Sequence, residues 1–149
     1  PEMKKFMLLA QHADPLDTGT LVDIFRAEEN ACLLGTDAVR DGIDVPGRAL
    51  RMVIYERVPW PRPSILHKTR KSFFEAKGNG LRYDDFLTRL KLKQAYGRLV
   101  RWADDHGVFV ILDRAMPSRL KGAFPDGVEV ERIGLAEAIS KARNFLAQS

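Results

Sequence analysis

Residues 31–37 read Ala31-Cys32-Leu33-Leu34-Gly35-Thr36-Asp37, and they indicate how the rest of the chain is arranged. Four apolar residues begin this stretch and predict a short buried strand, with Cys32 as a core residue. A glycine and two polar residues follow directly at the carboxyl end of the strand. Because ligands bind at the carboxyl ends of the strands in an open parallel sheet, Thr36 and Asp37 are candidate site residues.

The segments on both sides of this stretch predict further strands separated by helical patterns. Apolar runs predict strands at residues 6–10, 52–55 and 108–112, and residues 128–130 alternate like an edge strand. Helical patterns cover residues 18–30, 64–76, 82–102 and 135–145, and Pro117 can start a short helix. Asp17 or Thr18 is the expected cap of the first helix, and Ser64 that of the second. Strands that alternate with helices indicate an α/β fold with a mostly parallel sheet flanked by helices.

Length and composition indicate a single globular domain. The 149 residues are 45% hydrophobic and 30% charged, which is ordinary for a chain that buries a core. No apolar run approaches the 18 residues or so that a transmembrane helix needs, and no secretory leader opens the sequence. Cys32 is the only cysteine, so an intramolecular disulfide is excluded and a reducing, cytosolic setting is expected.

Positive charge is concentrated in residues 57–101. This segment holds twelve of the chain's 24 Lys and Arg residues against three acidic residues, and it also carries Trp60, Phe73, Phe74 and Tyr83. Basic residues interleaved with aromatic ones are the composition expected for binding a nucleic-acid backbone. A solvated basic surface would have the same composition, so both interpretations remain open.

Residues 94–101 read Gln-Ala-Tyr-Gly-Arg-Leu-Val-Arg, late in the predicted helix 82–102. On a helix, Gln94, Arg98 and Arg101 fall at i, i+4 and i+7 and share one face. Leu92, Tyr96 and Leu99 form an apolar stripe on the opposite face, and Gly97 would let a partner approach closely. Guanidinium groups aligned in this way suit a phosphate, because each can bond two oxygens. An exposed, solvated helix face is the alternative.

Other kinds of chemistry find little support in the sequence. His12, His67 and His106 are scattered, so no metal site is predicted. The acidic pairs Asp84-Asp85 and Asp104-Asp105 suit capping or turns better than general acid–base catalysis. Neither of the usual glycine-rich phosphate-binding motifs is present. A chain that presents arginines to a phosphate without such a loop is expected to share its nucleotide with another domain.

Two of these segments resemble the motifs of a known family. Residues 36–37 and 42–47, Thr-Asp and Gly-Ile-Asp-Val-Pro-Gly, resemble motif V of superfamily 2 helicases, and residues 94–101 resemble motif VI. With residues 58–63 and 108–113, they make nearly the whole chain similar to the C-terminal RecA-like domain of DinG/XPD-type helicases, above all the bacterial DinG-like branch. The resemblance implies a RecA-like fold of the P-loop NTPase type.

The resemblance also implies roles for residues at a shared ATP site. Arg101 would be the arginine finger that stabilises charge developing on the γ-phosphate. Arg98 would contact the same phosphates, and Gln94 the γ-phosphate or the attacking water. Asp44 would lie near the ribose or orient motif VI, and Gly42 would let the backbone come close.

Single-stranded DNA is the second implied ligand. Thr36 and Asp37 would lie nearer the DNA and couple it to the ATP cleft, and Arg40 is grouped with them as a nucleic-acid contact. Many relatives carry an aromatic pair and a glutamate before the motif V glycine. This chain has Val39-Arg40-Asp41 there, which changes the contacts expected at that point.

Several expectations about the wider protein follow from the resemblance. Residues 1–149 would be one C-terminal motor domain, a fragment of a longer chain, and would lack the first strand–helix unit of the family's second RecA-like domain. ATP and Mg²⁺ would be held mainly by an absent N-terminal Walker-bearing domain, so this chain by itself would be inactive. One cysteine cannot hold the iron–sulfur cluster of some relatives. The setting would be the bacterial cytoplasm, at the nucleoid, with no membrane partner. A non-catalytic basic α/β module that binds nucleic acid or a protein partner remains the alternative.

Overall fold

The computed structural model describes residues 6–37, 39, 43–45, 49–78, 82–102 and 104–148. Its elements follow the chain in this order: β1 (Met7–Ala10), α1 (Thr18–Ala27), β2 (Ala31–Leu34), β3 (Met52–Tyr55), α2 (Ile65–Ala76), α3 (Tyr83–Leu99), β4 (Val108–Ile111), a 3₁₀-helix (Ser118–Ala123) and α4 (Leu135–Ala147). None of the helices in these ranges is long and apolar enough to cross a membrane.

The strands pair in parallel, as expected for an α/β fold. β1 pairs with β2, with Leu8 opposite Cys32, and β3 pairs with β4, with Val53 opposite Phe109. Helices separate the strands along the chain, so the α/β prediction with parallel pairing is confirmed. Within the described ranges, the strands form two sheets of two strands each.

One apolar cluster joins the two sheets to α1. Leu21, Val22 and Phe25 are buried on one side of α1 and belong to the same cluster as Leu9 of β1. Phe109 of β4 packs against this cluster and against a second one beneath the 3₁₀-helix. Burying each of these large side chains contributes about 1.5–3 kcal/mol. The core thus fixes the edge of the sheets at which Thr36 and Asp37 emerge.

Capping residues begin α1 and α2 where the sequence indicates. Asp17 is the N-cap of α1, and its Oδ1 accepts the N–H of Thr20 at 3.1 Å. Ser64 caps α2 in the same way, because its Oγ accepts the N–H of His67 at 3.0 Å. Both bonds satisfy main-chain donors that the first helical turn leaves unpaired.

Three sequence predictions outside the site are wrong. Cys32 is exposed, because it lies on the outward side of β2. Residues 128–130 form no strand: the N–H of Val128 bonds to the carbonyl of Pro125 in a turn around Gly127, whose φ is +88°. Asp84 and Asp85 do not cap α3, and each forms an ion pair with a side chain of another element.

Asp85 is the buried member of one of these pairs. Its carboxylate is 9% exposed and accepts two bonds from Arg119, Nε to Oδ2 at 2.6 Å and Nη2 to Oδ1 at 3.1 Å. These bonds lower the pKa of Asp85 below its ordinary value, against the opposing effect of burial. The pair ties the start of α3 to the 3₁₀-helix.

We expect the stability of the chain to fall in acid, partly through Asp85. A carboxyl whose folded pKa is lowered contributes stability that is fully present above its unfolded pKa, here 3.8, and is lost as the pH falls through the folded value. Urea unfolding between pH 7 and pH 2 should therefore show a decline beginning near pH 4. Asp85→Asn should cost about 1–3 kcal/mol at pH 7 and flatten that decline. Asp126→Asn, at an exposed loop position, should leave the profile unchanged. An identical acid profile for Asp85→Asn would contradict the expectation.

Candidate functional site

Arg101 lies beyond the end of α3, not on its face. The helix ends at Leu99, and Val100 is extended with φ −123° and ψ 107°. The Oδ2 atom of Asp105 accepts the N–H groups of Arg101 at 2.8 Å and Trp102 at 2.9 Å. A carboxylate that offers main-chain donors an alternative partner ends a helix. The prediction that Arg101 shares a helix face with Gln94 and Arg98 is therefore wrong, and so is the predicted helix end at residue 102.

The same two N–H groups change the acidity of Asp105. Hydrogen bonds from Trp102 and then Arg101 lower the pKa of this carboxyl below its ordinary value. Asp105 is thus a charged turn residue at neutral pH, which agrees with the capping or turn role predicted for the pair Asp104-Asp105.

Arg101 contacts Asp44, 57 residues earlier in the sequence. Its Nη1 donates to Oδ1 of Asp44 at 2.5 Å. The Arg101 side chain is 20% exposed, whereas that of Asp44 is 72% exposed, so the guanidinium extends outward from the protein to reach the carboxylate. The second terminal nitrogen, Nη2, is buried without a hydrogen-bond partner among the described residues. Among the described residues, Nη1 of Arg101 therefore has a hydrogen-bond partner and Nη2 has none.

The main chain of Asp44 is held by a second arginine. Nη2 of Arg26, in the last turn of α1, donates to the carbonyl oxygen of Asp44 at 2.6 Å. Nη1 of Arg26 lies 3.5 Å from Asp23, one turn earlier on the helix. Asp44 is thus bonded through its main chain to α1 and through its carboxylate to the segment that follows α3.

Gln94 and Arg98 lie one turn apart on α3. Gln94 is exposed and Arg98 is half-buried, and neither side chain has a hydrogen-bond partner among the described residues. On the other side of the helix Leu92 and Leu99 are buried, and the ring of Tyr96 packs on Phe124 at 5.7 Å between centroids. The predicted division of the helix into an apolar stripe and a polar face is correct as far as Leu99.

Thr36 lies at the carboxyl end of β2, as the sequence indicates. Oε1 of Gln11 accepts both the N–H and the hydroxyl of Thr36, each at 2.9 Å, and Nε2 of Gln11 donates to Thr18 at 3.0 Å. Gln11 follows β1 directly, and the last pair of the parallel register is Ala10 with Leu34. The ends of the two strands are therefore bonded together at this edge.

Asp37 contacts α3, and Asp44 contacts the segment after it. Nζ of Lys91 lies 3.4 Å from Oδ2 of Asp37, while Arg101 bonds Asp44. Because a helix rises 1.5 Å per residue, Lys91 and Leu99 are about 12 Å apart along α3. The two contacts thus attach the candidate DNA-side residue to α3 and the candidate nucleotide-side residue to the segment that directly follows α3. Arg40 and Gly42, also predicted site residues, lie outside the described residues.

Gly35 allows the segment after β2 to turn back tightly. A Cβ atom on Gly35 would lie 2.3 Å from Cγ2 and 2.7 Å from Cβ of Val39. Val39 is buried in the cluster that includes Leu9. No side chain can therefore occupy position 35 unless Val39 leaves the core.

Three positioning contacts of this site were missed by the sequence analysis: Gln11, Arg26 and Lys91. Gln11 could have been found, because it follows a strand that pairs in parallel with β2, so it lies beside Thr36. Arg26 and Lys91 have no such signal, since a basic residue on a helix surface is ordinary in sequence.

A groove lies on another part of the described structure. Residues 56–58, Trp60, Leu112 and Asp113 line an open groove of about 530 Å³ at the carboxyl ends of β3 and β4. Among the described ranges, no group of three or more His, Cys, Asp or Glu side chains comes together as a metal site.

Gly97→Ala provides a test of the open space beside α3 at this position. A Cβ at Gly97 would meet nothing within 4 Å, so alanine should stabilise the isolated chain by up to about 1 kcal/mol. The measurement is the urea midpoint, with Gly122→Ala as a second open position. A destabilised Gly97→Ala chain would contradict the geometry of α3 described here.

Comparisons with known proteins agree on one family. The model of the helicase C-terminal domain matches residues 2–130. The chain is 36% identical over 115 residues to the ATP-dependent helicase DinG of Mycobacterium tuberculosis strain H37Rv, covering 72% of the chain and 17% of that protein. It is 37% identical over 109 residues to the ATP-dependent DNA helicase YoaA of Escherichia coli K12, covering 70% and 17%. It is also 36% identical over 110 residues to the 3'-5' exonuclease DinG of Bacillus subtilis 168, covering 72% and 12%. The chain thus spans less than a fifth of the length of these relatives.

Proposed function

The chain belongs to the helicase C-terminal domain family, and from this premise we propose that it is the C-terminal motor domain of an ATP-dependent DNA helicase. In this proposal, residues 1–149 form one domain of a longer protein, and a Walker-bearing domain supplies the rest of the ATP site. The DinG relative of Mycobacterium tuberculosis and the YoaA relative of Escherichia coli are named as ATP-dependent helicases, which supports the activity for the complete protein.

The ion pair between Arg101 and Asp44 is the observation that carries the proposal. Asp44 belongs to the motif V-like segment and Arg101 to the motif VI-like segment, and their side chains meet at 2.5 Å. The family's two nucleotide-side motifs would have to lie together in this way to act on one ATP. The resemblance allowed Asp44 either to lie near the ribose or to orient motif VI, and the bond supports the second role.

Arg101 would act on the γ-phosphate as an arginine finger. Its Nη2 atom supports this role: it has no partner among the described residues, and a buried donor without a partner gains most from a bond to a phosphate oxygen. Arg98 and Gln94 would supply further donors from the last turns of α3, and Gly42 would let the backbone approach. The residues present therefore fit a triphosphate. ATP supplies the phosphoanhydride bond that is cleaved, and this chain's part is to stabilise charge with fixed donors.

Mg²⁺ would be held mainly by the Walker-bearing domain. Phosphoryl transfer also needs a phosphate-binding loop, whose motif is absent from this sequence, and an acid that positions the water, which would come from the same Walker-bearing domain. We therefore expect the chain by itself to be inactive.

Single-stranded DNA would contact the carboxyl edge of the sheets. Thr36, Asp37 and Arg40 are the proposed contacts, and the bonds of Gln11 to Thr36 would fix the first of them. The contact between Asp37 and Lys91 supports coupling of this edge to α3. A location in the bacterial cytoplasm, at the nucleoid, is part of the same proposal.

The test is ATP hydrolysis stimulated by single-stranded DNA, measured for the chain alone and for the full-length protein. We expect hydrolysis by the full-length protein and none by the chain alone. Turnover by the chain alone would require a phosphate site within it and would overturn the proposal. A full-length protein that shows no stimulated hydrolysis would overturn it as well, in favour of a non-catalytic basic module.

A further inference from the structure

The helix α2 is attached to the protein by one side only. His67 and Lys71 bond the two carboxylate oxygens of Asp84, at 2.8 Å and 2.6 Å. The ring of Phe74, one turn further on, packs against the ring of Tyr83 at 5.2 Å between centroids. These three side chains recur at i, i+4 and i+7, so they fix which side of α2 points away from α3.

A side of α2 that lies about a quarter turn around the helix from its attached side alternates apolar and basic residues. Leu66, Arg70, Phe73 and Lys77 recur at i, i+4, i+7 and i+11, and all four are exposed. Leu66 is 59% exposed and Phe73 is 66% exposed, so both present apolar surface beside the two cations. Nζ of Lys77 lies 4.4 Å from the centre of the Phe73 ring. We call these four residues the outer stripe of α2.

Among the described residues, no carboxylate forms an ion pair with the cations of the outer stripe. The three acidic residues of segment 57–101 are otherwise engaged: Asp84 by His67 and Lys71, Asp85 by Arg119, and Glu75 as acceptor of the N–H of Tyr83 at 3.4 Å. Within the described ranges, no carboxylate lies at ion-pair distance from Arg70 or Lys77. The stripe therefore presents uncompensated positive charge beside exposed apolar surface.

This chemistry fits single-stranded nucleic acid better than a protein surface. A protein that covered Leu66 and Phe73 would have to bury Arg70 and Lys77, which is costly unless it supplies matched acids. A single strand offers phosphates to the cations and the flat face of a base to Phe73, in the same repeating unit. The stripe is about 16 Å long, the length of about five stacked nucleotides.

We propose that the outer stripe of α2 binds single-stranded nucleic acid, with phosphates on Arg70 and Lys77 and a base stacked on Phe73. The inference rests on the proposed function for its ligand class. It assigns that ligand to residues other than the proposed contacts Thr36, Asp37 and Arg40.

The test is the affinity of the full chain for a fluorescent 15-nucleotide oligothymidylate, measured by anisotropy at several salt concentrations. Phe73→Ala should weaken binding about 5- to 100-fold, the range measured for loss of one stacked base. Arg70→Gln with Lys77→Gln should lower the slope of log affinity against log salt by about 1.4, because each phosphate contact contributes about 0.7 for a single strand. Circular dichroism checks that each variant is folded.

Matched controls come from α4, which carries similar exposed residues. Leu135→Ala removes an exposed apolar side chain there, and Arg143→Gln removes an exposed cation. Both controls should bind like the unaltered chain. Equal losses in the controls would overturn the proposal, since the effect would then belong to overall charge and not to the stripe.

Two further outcomes separate this inference from the proposed function. Unchanged oligonucleotide affinity in the α2 variants would contradict binding of single-stranded nucleic acid to the outer stripe. It would not affect the proposed function as a helicase motor domain, because ATP hydrolysis is measured independently. If the same variants instead weakened association with the Walker-bearing domain, the stripe would be a protein-docking surface. Absence of binding by the unaltered chain would also overturn the stripe.

Discussion

Arg101→Ala in the full-length protein is expected to lower kcat for DNA-stimulated ATP hydrolysis by about 10³- to 10⁵-fold, the range for loss of an arginine finger. The physical reason is that the substitution removes two guanidinium donors, Nη1 and Nη2, from the site where negative charge would develop on the γ-phosphate. Affinity for single-stranded DNA should be nearly unchanged, since Arg101 is not among the proposed DNA contacts.

Arg101→Ala could also lose ATP hydrolysis because the variant fails to fold, and the structure argues against this explanation. Asp44 remains 72% exposed when its partner is removed, so its charge stays hydrated and little stability is lost. Arg101→Lys keeps one positive charge but loses the fork of donors, and should also be strongly impaired. Arg143→Ala on α4 is the matched surface control. Hydrolysis within tenfold of normal in Arg101→Ala would contradict the assigned role.

Gly35→Ala should lower the free energy of unfolding by about 1–3 kcal/mol, the usual cost of overpacking a core. The new methyl group would lie 2.3 Å from Cγ2 of Val39, which is buried and cannot move without opening the core. Since Thr36 follows directly, its two bonds to Gln11 should also weaken. Urea unfolding measures the first effect, and amide hydrogen exchange at Thr36 measures the second.

A double variant tests the stated cause of this destabilisation. Val39→Ala removes the two methyl groups nearest to the new atom, although its Cβ stays 2.7 Å away. The pair Gly35→Ala and Val39→Ala should therefore cost less than the sum of the single changes. Gly122→Ala is the control, because its Cβ would meet nothing within 4 Å. Strict additivity would show that the clash with Val39 is not the cause.

The elements that sequence reasoning predicted well are those whose signals are local. The strands Ala31–Leu34 and Met52–Tyr55 and the helix Ile65–Ala76 have the predicted bounds. Each is a short apolar run or a capped periodic segment, so neighbouring residues are enough to specify it.

The end of α3 could not be predicted in this way. The segment 100–102 contains no glycine or proline that would end a helix, but Asp105 accepts two of its main-chain donors from a position that no helical periodicity marks. Residues 128–130 alternate as a strand does, yet alternation cannot supply the neighbouring strand that pairing needs. In both cases the secondary structure depends on a hydrogen-bonding partner that lies outside the segment whose sequence pattern was read.

The candidate site shows the same division. Thr36 and Asp37 were found from their place at the end of β2, a local signal. The pairing of Asp44 with Arg101 joins positions 57 residues apart, and only the resemblance to a family suggested that they belong together. The contact of Arg26 could not be predicted, because it is made to the main chain of Asp44 and does not depend on which residue stands at position 44.

The two bonds of Asp44 differ in what they restrain, and this has a kinetic consequence. Arg26 holds the carbonyl of Asp44, whereas the exposed carboxylate that meets Arg101 can turn about two side-chain bonds. Releasing or recapturing the arginine therefore needs a rotamer change and no backbone rearrangement. Exposed rotamers exchange in picoseconds to nanoseconds. A transfer of Arg101 from Asp44 to a phosphate would thus be far faster than turnover at about 1–1,000 per second, so this exchange would not limit the rate.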